Sequence, residues 1–80
     1  MIDKIINIHL QKGEFKKALK ILEDLIKNGN KNITIFFHLG KIYFALNDYK
    51  KSIIYFRKCN QIQPNSPKVL YNLALVFQGL

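Results

Sequence analysis

The chain is poor in the residues that build several common kinds of protein. It has one cysteine, Cys59, so no internal disulfide can form, and a reducing compartment fits it. It has no tryptophan and two prolines, Pro64 and Pro67, and its glycines are confined to positions 13, 29, 40 and 79. Acidic residues number 5 against 13 basic ones, and arginine occurs once, at Arg57. No apolar run is long enough to span a bilayer. The start, Met1-Ile2-Asp3-Lys4-Ile5, lacks the basic and then apolar pattern of a signal peptide, so a cytoplasmic location is expected. No Gly-rich phosphate loop or metal-ligand spacing occurs, so neither a cofactor nor a metal is expected.

What is present is helical. Eighty residues allow one small domain of marginal stability. A hydrophobic fraction of 49% argues against disorder. The net charge of +8 rests on lysine, in a chain also rich in Ile and Asn. That composition matches the bias of an AT-rich genome, which weakens any functional reading of the charge.

The sequence repeats itself every 34 residues. Gly13-Glu14-Phe15-Lys16-Lys17-Ala18 aligns with Asn47-Asp48-Tyr49-Lys50-Lys51-Ser52. Ile35-Phe36-Phe37-His38-Leu39-Gly40 aligns with Val69-Leu70-Tyr71-Asn72-Leu73-Ala74, and Ile42, Tyr43 and Leu46 with Val76, Phe77 and Leu80. Such a period marks a solenoid, in which each unit needs a neighbour to cover its apolar face.

Turn signals divide the chain. Gly13, Asn28-Gly29-Asn30, Asn47-Asp48 and Pro64-Asn65-Ser66-Pro67 each break a helical stretch. Asp48 and Ser66 are expected to cap the helices that follow, and Pro67 suits a first helical position. Five helices follow, over about 2–12, 14–28, 33–46, 49–62 and 67–80.

In the third helix Phe36, Leu39, Gly40 and Tyr43 share one face, with Ile35, Ile42 and Leu46 beside it. A helix apolar on two adjacent faces packs on two sides. Gly40 costs about 1 kcal/mol relative to Ala in mid-helix, and a closely approaching partner helix would compensate. Matching stripes are Tyr49, Ser52, Ile53, Phe56 and Cys59 on the fourth helix, and Phe15, Ala18, Leu19, Leu22 and Leu25 on the second.

These residues resemble the tetratricopeptide repeat family. Its unit is a 34-residue helix–turn–helix with a Leu-Gly pair, an aromatic, a Gly/Asn-Asp-Tyr turn, spaced small residues and a closing proline. The central repeat supplies Phe36, Leu39-Gly40, Tyr43, Asn47-Asp48-Tyr49, Ser52, Phe56, Cys59 and Pro64. The first supplies Ile5, Gly13-Glu14-Phe15, Ala18, Leu22 and Leu25; the third supplies Leu70, Leu73-Ala74 and Phe77. The usual tryptophan-like position holds Ile2, Phe36 and Leu70, and Ile6 replaces the small residue of the Leu-Gly pair.

The resemblance implies an all-α fold, a right-handed superhelical array of antiparallel helix pairs. Repeat one would cover residues 1–32, repeat two 33–66, and the first helix of repeat three 67–80. It also implies a scaffold that mediates protein–protein interaction and has no enzyme activity.

In that family the inner surface is lined by first helices of successive repeats. The face left free by the two buried stripes carries Thr34, Phe37, Lys41 and Phe44 on the third helix. The 34-residue shift adds Asp3, Asn7 and Leu10, and Lys68, Tyr71, Leu75 and Gln78. Such a groove suits a peptide, including one with acidic groups. Its expected partner-binding residues are Asn7, Phe37, Lys41, Phe44, Lys68, Tyr71 and Leu75. The bland alternative is that Phe37, Phe44 and Tyr71 only pack between helices. Some family members hold a C-terminal carboxylate through five polar positions, which here are Asp3, Asn7, His38, Lys68 and Asn72. Only Asn7 and Lys68 agree with that pattern, so no dedicated carboxylate clamp is expected.

The second helices carry most of the lysines: Lys16, Lys17, Lys20 and Lys27, then Lys50, Lys51 and Lys58 with Arg57. No base-stacking aromatics are apparent among them, so a solvated face is expected and nucleic acid is not an expected partner. His9 and His38 show no carboxylate at ligand spacing, and His9 falls on a packing position. Cys59 is expected to be an inert core thiol.

The repeat stops at Leu80, one residue before a third turn would begin. Leu70, Leu73, Ala74 and Phe77 then lack the partner helix that the central repeat has. This predicts either continuation in a longer array or self-association through Leu70, Leu73 and Phe77, with a second copy of the chain as partner.

Overall fold

A computed structural model describes residues 2–80, with side chains from position 3 onward. The expected tryptophan-like side chain at Ile2 lies outside the described side chains. Five helices follow one another: α1 (Ile2–Gln11), α2 (Phe15–Lys27), α3 (Ile33–Ala45), α4 (Tyr49–Ile62) and α5 (Pro67–Gly79). Each lies within about two residues of its expectation. Among the described residues there is no strand, and no helix is long and apolar enough to cross a membrane.

The 34-residue period reappears as a repeat of hydrogen bonds. Gly13 and Asn47 both adopt positive φ, at 72° and 63°. The Gly13 amide donates to Leu10 and the Glu14 amide to His9, at 3.0 and 2.8 Å. One period later Asn47 donates to Phe44 and Asp48 to Tyr43, at the same distances. This 6→1 and 5→2 pair closes a helix by a Schellman turn. Gly29, at φ 89°, closes α2 the same way through Gly29 to Ile26 and Asn30 to Leu25.

Capping at the helix starts is uneven. The Asp48 carboxylate accepts the Lys51 amide at 3.3 Å. Asn32, which sequence reasoning missed, caps α3 by accepting the Thr34 amide at 2.9 Å. Ser66 sits at the N-cap of α5 but makes no side-chain cap bond, contrary to expectation. Pro67 at the first position supplies the helical φ and has no amide there to satisfy.

The core is continuous: Ile6, Ala18, Leu22, Ile35, Phe36, Leu39, Ile42, Phe56, Cys59, Val69 and Val76 are buried. Helix α3 is covered on both sides and packs most extensively on α4. Leu46, expected in its buried stripe, is 42% exposed because it is the C-cap, where the chain turns away.

The close approach expected at Gly40 is present. A Cβ there would lie 2.7–2.8 Å from three ring carbons of Phe56. The Ser52 hydroxyl, on the same side of α4, donates to the Gly40 carbonyl at 2.7 Å. The first pair solves this contact differently. One period back, Gly40 becomes Ile6 and Phe56 becomes Leu22, both fully buried. In the first pair each helix contributes one aliphatic side chain to the contact, whereas in the second a single ring from α4 fills it against bare backbone. This explains why Ile6 can stand where the family has a small residue.

The two ends differ from the middle. Ile5 and Ile8 of α1 are 48% and 45% exposed, whereas their equivalents Leu39 and Ile42 are fully buried. On α5, Leu70 and Phe77 are 44% and 49% exposed.

Candidate functional site

The three odd-numbered helices enclose a cleft of ≈ 460 Å³. Asp3 and Asn7 of α1 form one wall, and Thr34, Phe37, His38 and Lys41 of α3 form the floor. Lys68 and Val69 of α5, with Gln63 and Ser66 from the α4–α5 connection, form the other wall.

Phe37 organises this surface. Its ring edge meets Phe56 at 5.7 Å between centroids and 64° between planes, which anchors it to the core. Two ammonium groups lie over the ring, Lys68 Nζ at 4.9 Å and Lys41 Nζ at 5.7 Å from its centroid. Each such contact is worth about 0.5–1 kcal/mol at an exposed site. Both lysines are exposed, and among the described residues neither has a carboxylate within ion-pair distance. The cleft therefore presents an aromatic ring flanked by two cations free to meet an anion.

His38 is buried at 5% exposure beside this ring. Its Nε2 lies 2.6 Å from Asp3 Oδ1. A carboxylate only accepts, so the Nε2–H donates. The other ring nitrogen, Nδ1, is sealed from solvent without a partner. His9 also meets a carboxylate, with Nδ1 donating to Glu14 Oε1 at 2.9 Å, while Lys17 reaches Glu14 Oε2 at 3.0 Å. His9 and Lys17 together hold the Glu14 carboxyl well below its usual range, at about 2. Both histidines thus have carboxylate partners, contrary to the sequence reading. The separations of 5 and 35 residues match no motif, and only the fold brings the groups together. Among the described residues no group of three His, Cys, Asp or Glu could hold a metal.

Of the expected partner-binding residues, Asn7, Phe37, Lys41 and Lys68 line the cleft. Three lie outside its lining. Phe44 is half-buried and packs on Tyr49 at 5.5 Å, the packing alternative for that ring. Tyr71 is 66% exposed, and Leu75 is half-buried further along α5. Ile33, His38, Gln63, Ser66 and Val69 were missed as lining residues. Of these only His38 carried a sequence signal, as one of the five polar positions.

The outer face also differs from expectation. Tyr55 of α4 stacks between Phe36 and Tyr43 of α3, at 6.1 and 5.7 Å between centroids. Lys58 lies over Phe36 and Lys51 over Tyr43. Aromatics do interleave with the outer lysines, but their faces are spent on one another. Burial, with Glu23 nearby, pushes the Tyr43 phenol up. Cys59 is buried 3.6 Å from the Ile33 carbonyl, and desolvation raises its thiol to about 11. A thiol so placed is a poor nucleophile at neutral pH.

Residues 33–66, which hold α3, α4 and the connection to α5, match the family model of the tetratricopeptide repeat. No curated protein matches the chain. The central unit, residues 33–66, is thus similar to a tetratricopeptide repeat, and it sits in an all-helical array whose 34-residue period carries into the turns on either side.

Proposed function

We propose that this chain is a binding module that captures a peptide segment of a protein partner in the cleft between α1, α3 and α5, and that it has no enzyme activity. The carrying observation is the Phe37 ring, held at the cleft floor with Lys41 and Lys68 over it. The ring offers apolar area, the ammonium groups offer charge, and Asn7, Thr34 and Gln63 can hydrogen-bond a peptide backbone. Selection of a displayed random-peptide library against the full chain tests this. Selected peptides should lose at least about tenfold in affinity to Phe37→Ala with Lys68→Gln, because a buried aromatic and a charge contact go together. Peptides that bind the double variant as well as the parent would refute the cleft as the site.

A second reading, self-association through α5, has its own observation. Leu70 and Phe77 are about half exposed, while their equivalents Phe36 and Tyr43 are covered by α4. Leu73, the third expected contact, is half-buried. A sedimentation dilution series decides it. Self-association should appear with rising concentration and vanish in Leu70→Glu with Phe77→Glu; a monomer at all concentrations would dismiss it.

A further inference from the structure

The cleft that would receive a peptide already holds a carboxylate. Asp3 is the one acidic residue among its described lining residues, in a cleft whose floor carries Lys41 and whose opposite wall carries Lys68. Its side chain is 58% exposed, so it is not fixed by packing. Its structural anchor is the 2.6 Å bond to His38 Nε2. His38 is the opposite case: its side chain is 7% exposed and its Nδ1 has no partner. The ring thus spends its one satisfied polar contact on an exposed surface carboxylate.

We propose that Asp3 is an internal competitor for an acidic peptide, and that the ligand class of the cleft is a peptide bearing side-chain carboxylates. The inference rests on the cleft reading given above. A ligand carboxylate would take the Nε2–H donor of His38 in place of Asp3, with Lys41 and Lys68 supplying the countercharge. Asp3 would then swing into solvent, which its exposure allows. With Asp3 in place the cleft admits acidic segments weakly and rejects single acidic residues. The like charge sets a threshold that several ligand carboxylates must exceed.

The test is fluorescence anisotropy on the full chain with an N-terminally labelled, C-terminally amidated hexaglutamate peptide and its hexaglutamine counterpart. Asp3→Asn should bind hexaglutamate about threefold to fivefold more tightly than the parent, the effect of removing one surface charge contact. Hexaglutamine binding should not change. Asp3→Ser should behave alike, and circular dichroism should show both variants folded. In the parent, hexaglutamate should shift the His38 Nε2 resonance, an effect that a purely structural Asp3 would not produce. If hexaglutamate binds in a Lys68-dependent way but Asp3→Asn binds equally or more weakly, the competitor role is wrong and the cleft reading survives. If hexaglutamate binds no better than hexaglutamine in any variant while library-selected peptides still bind, the acidic ligand class is wrong. If neither kind of peptide depends on Phe37 and Lys68, the cleft reading itself is wrong.

Discussion

Replacing Gly40 by Ala should destabilise this protein although it removes a glycine from the middle of a helix. Intrinsic propensity favours the change by about 1 kcal/mol. Packing opposes it. The new methyl would sit 2.7–2.8 Å from the Phe56 ring, about 1 Å inside ordinary carbon–carbon contact. The ring is 1% exposed and engages Phe37 edge-on, so it cannot move freely. Overpacking of this kind costs about 1–3 kcal/mol, so the net change should be a loss of up to about 2 kcal/mol. The informative measurement is a double-mutant cycle with Phe56→Leu, which copies the Ile6 and Leu22 arrangement of the first helix pair. Phe56→Leu alone should cost about 1–2 kcal/mol for the space it opens. The double variant should be at least about 1 kcal/mol better than the sum of the singles, because the methyl enters that space. Urea unfolding followed by circular dichroism measures all four corners. Strict additivity, or a stabilising Gly40→Ala, would refute the close-approach argument.

Three further outcomes follow from the geometry. Asn47→Gly should leave stability within about 0.5 kcal/mol, whereas Asn47→Val should cost more than about 1 kcal/mol because position 47 holds φ 63°; urea midpoints compare them. The Cys59 thiol, raised to about 11 by burial, should react with an aromatic disulfide reagent only as fast as the chain opens. Its rate should therefore rise with the unfolded fraction in urea, and immediate reaction in the native state would contradict the buried placement. Glu14 has a folded value near 2 against an ordinary 4.5. A depressed carboxyl stabilises the fold above its unfolded value, and that contribution fades as pH falls from about 4.5 toward 2. Thermal melts of Glu14→Gln should therefore lose less stability than the parent across that window, and parallel curves would dismiss the Glu14 clip.

Much of the fold is legible in the sequence because its turns use residues with few alternatives. Gly13, Gly29 and Asn47 stand where the backbone enters the left-handed region, and the helices end there. Part of the cleft is legible too: once the period fixes the helix faces, Phe37, Lys41 and Lys68 fall on the free ones. What was not legible depends on distances between helices. The bond between Asp3 and His38 spans 35 residues, one off the repeat, so aligning the repeats does not pair them. The stacking of Tyr55 between Phe36 and Tyr43 needs the rotation of α4 about α3. Gln63 and Ser66 reach the cleft from a connection whose path no periodicity describes. Tyr71 carried the right period, yet α5 leaves it 66% exposed and outside the cleft lining.

On the proposed function, a peptide docks between α1, α3 and α5. Chemical-shift mapping of a library-selected peptide on the isotope-labelled full chain tests it most directly. The largest changes should fall on Asn7, Phe37, His38, Lys41 and Lys68. Changes confined to Leu70 and Phe77, or to the outer lysines Lys16, Lys50 and Lys51, would contradict it.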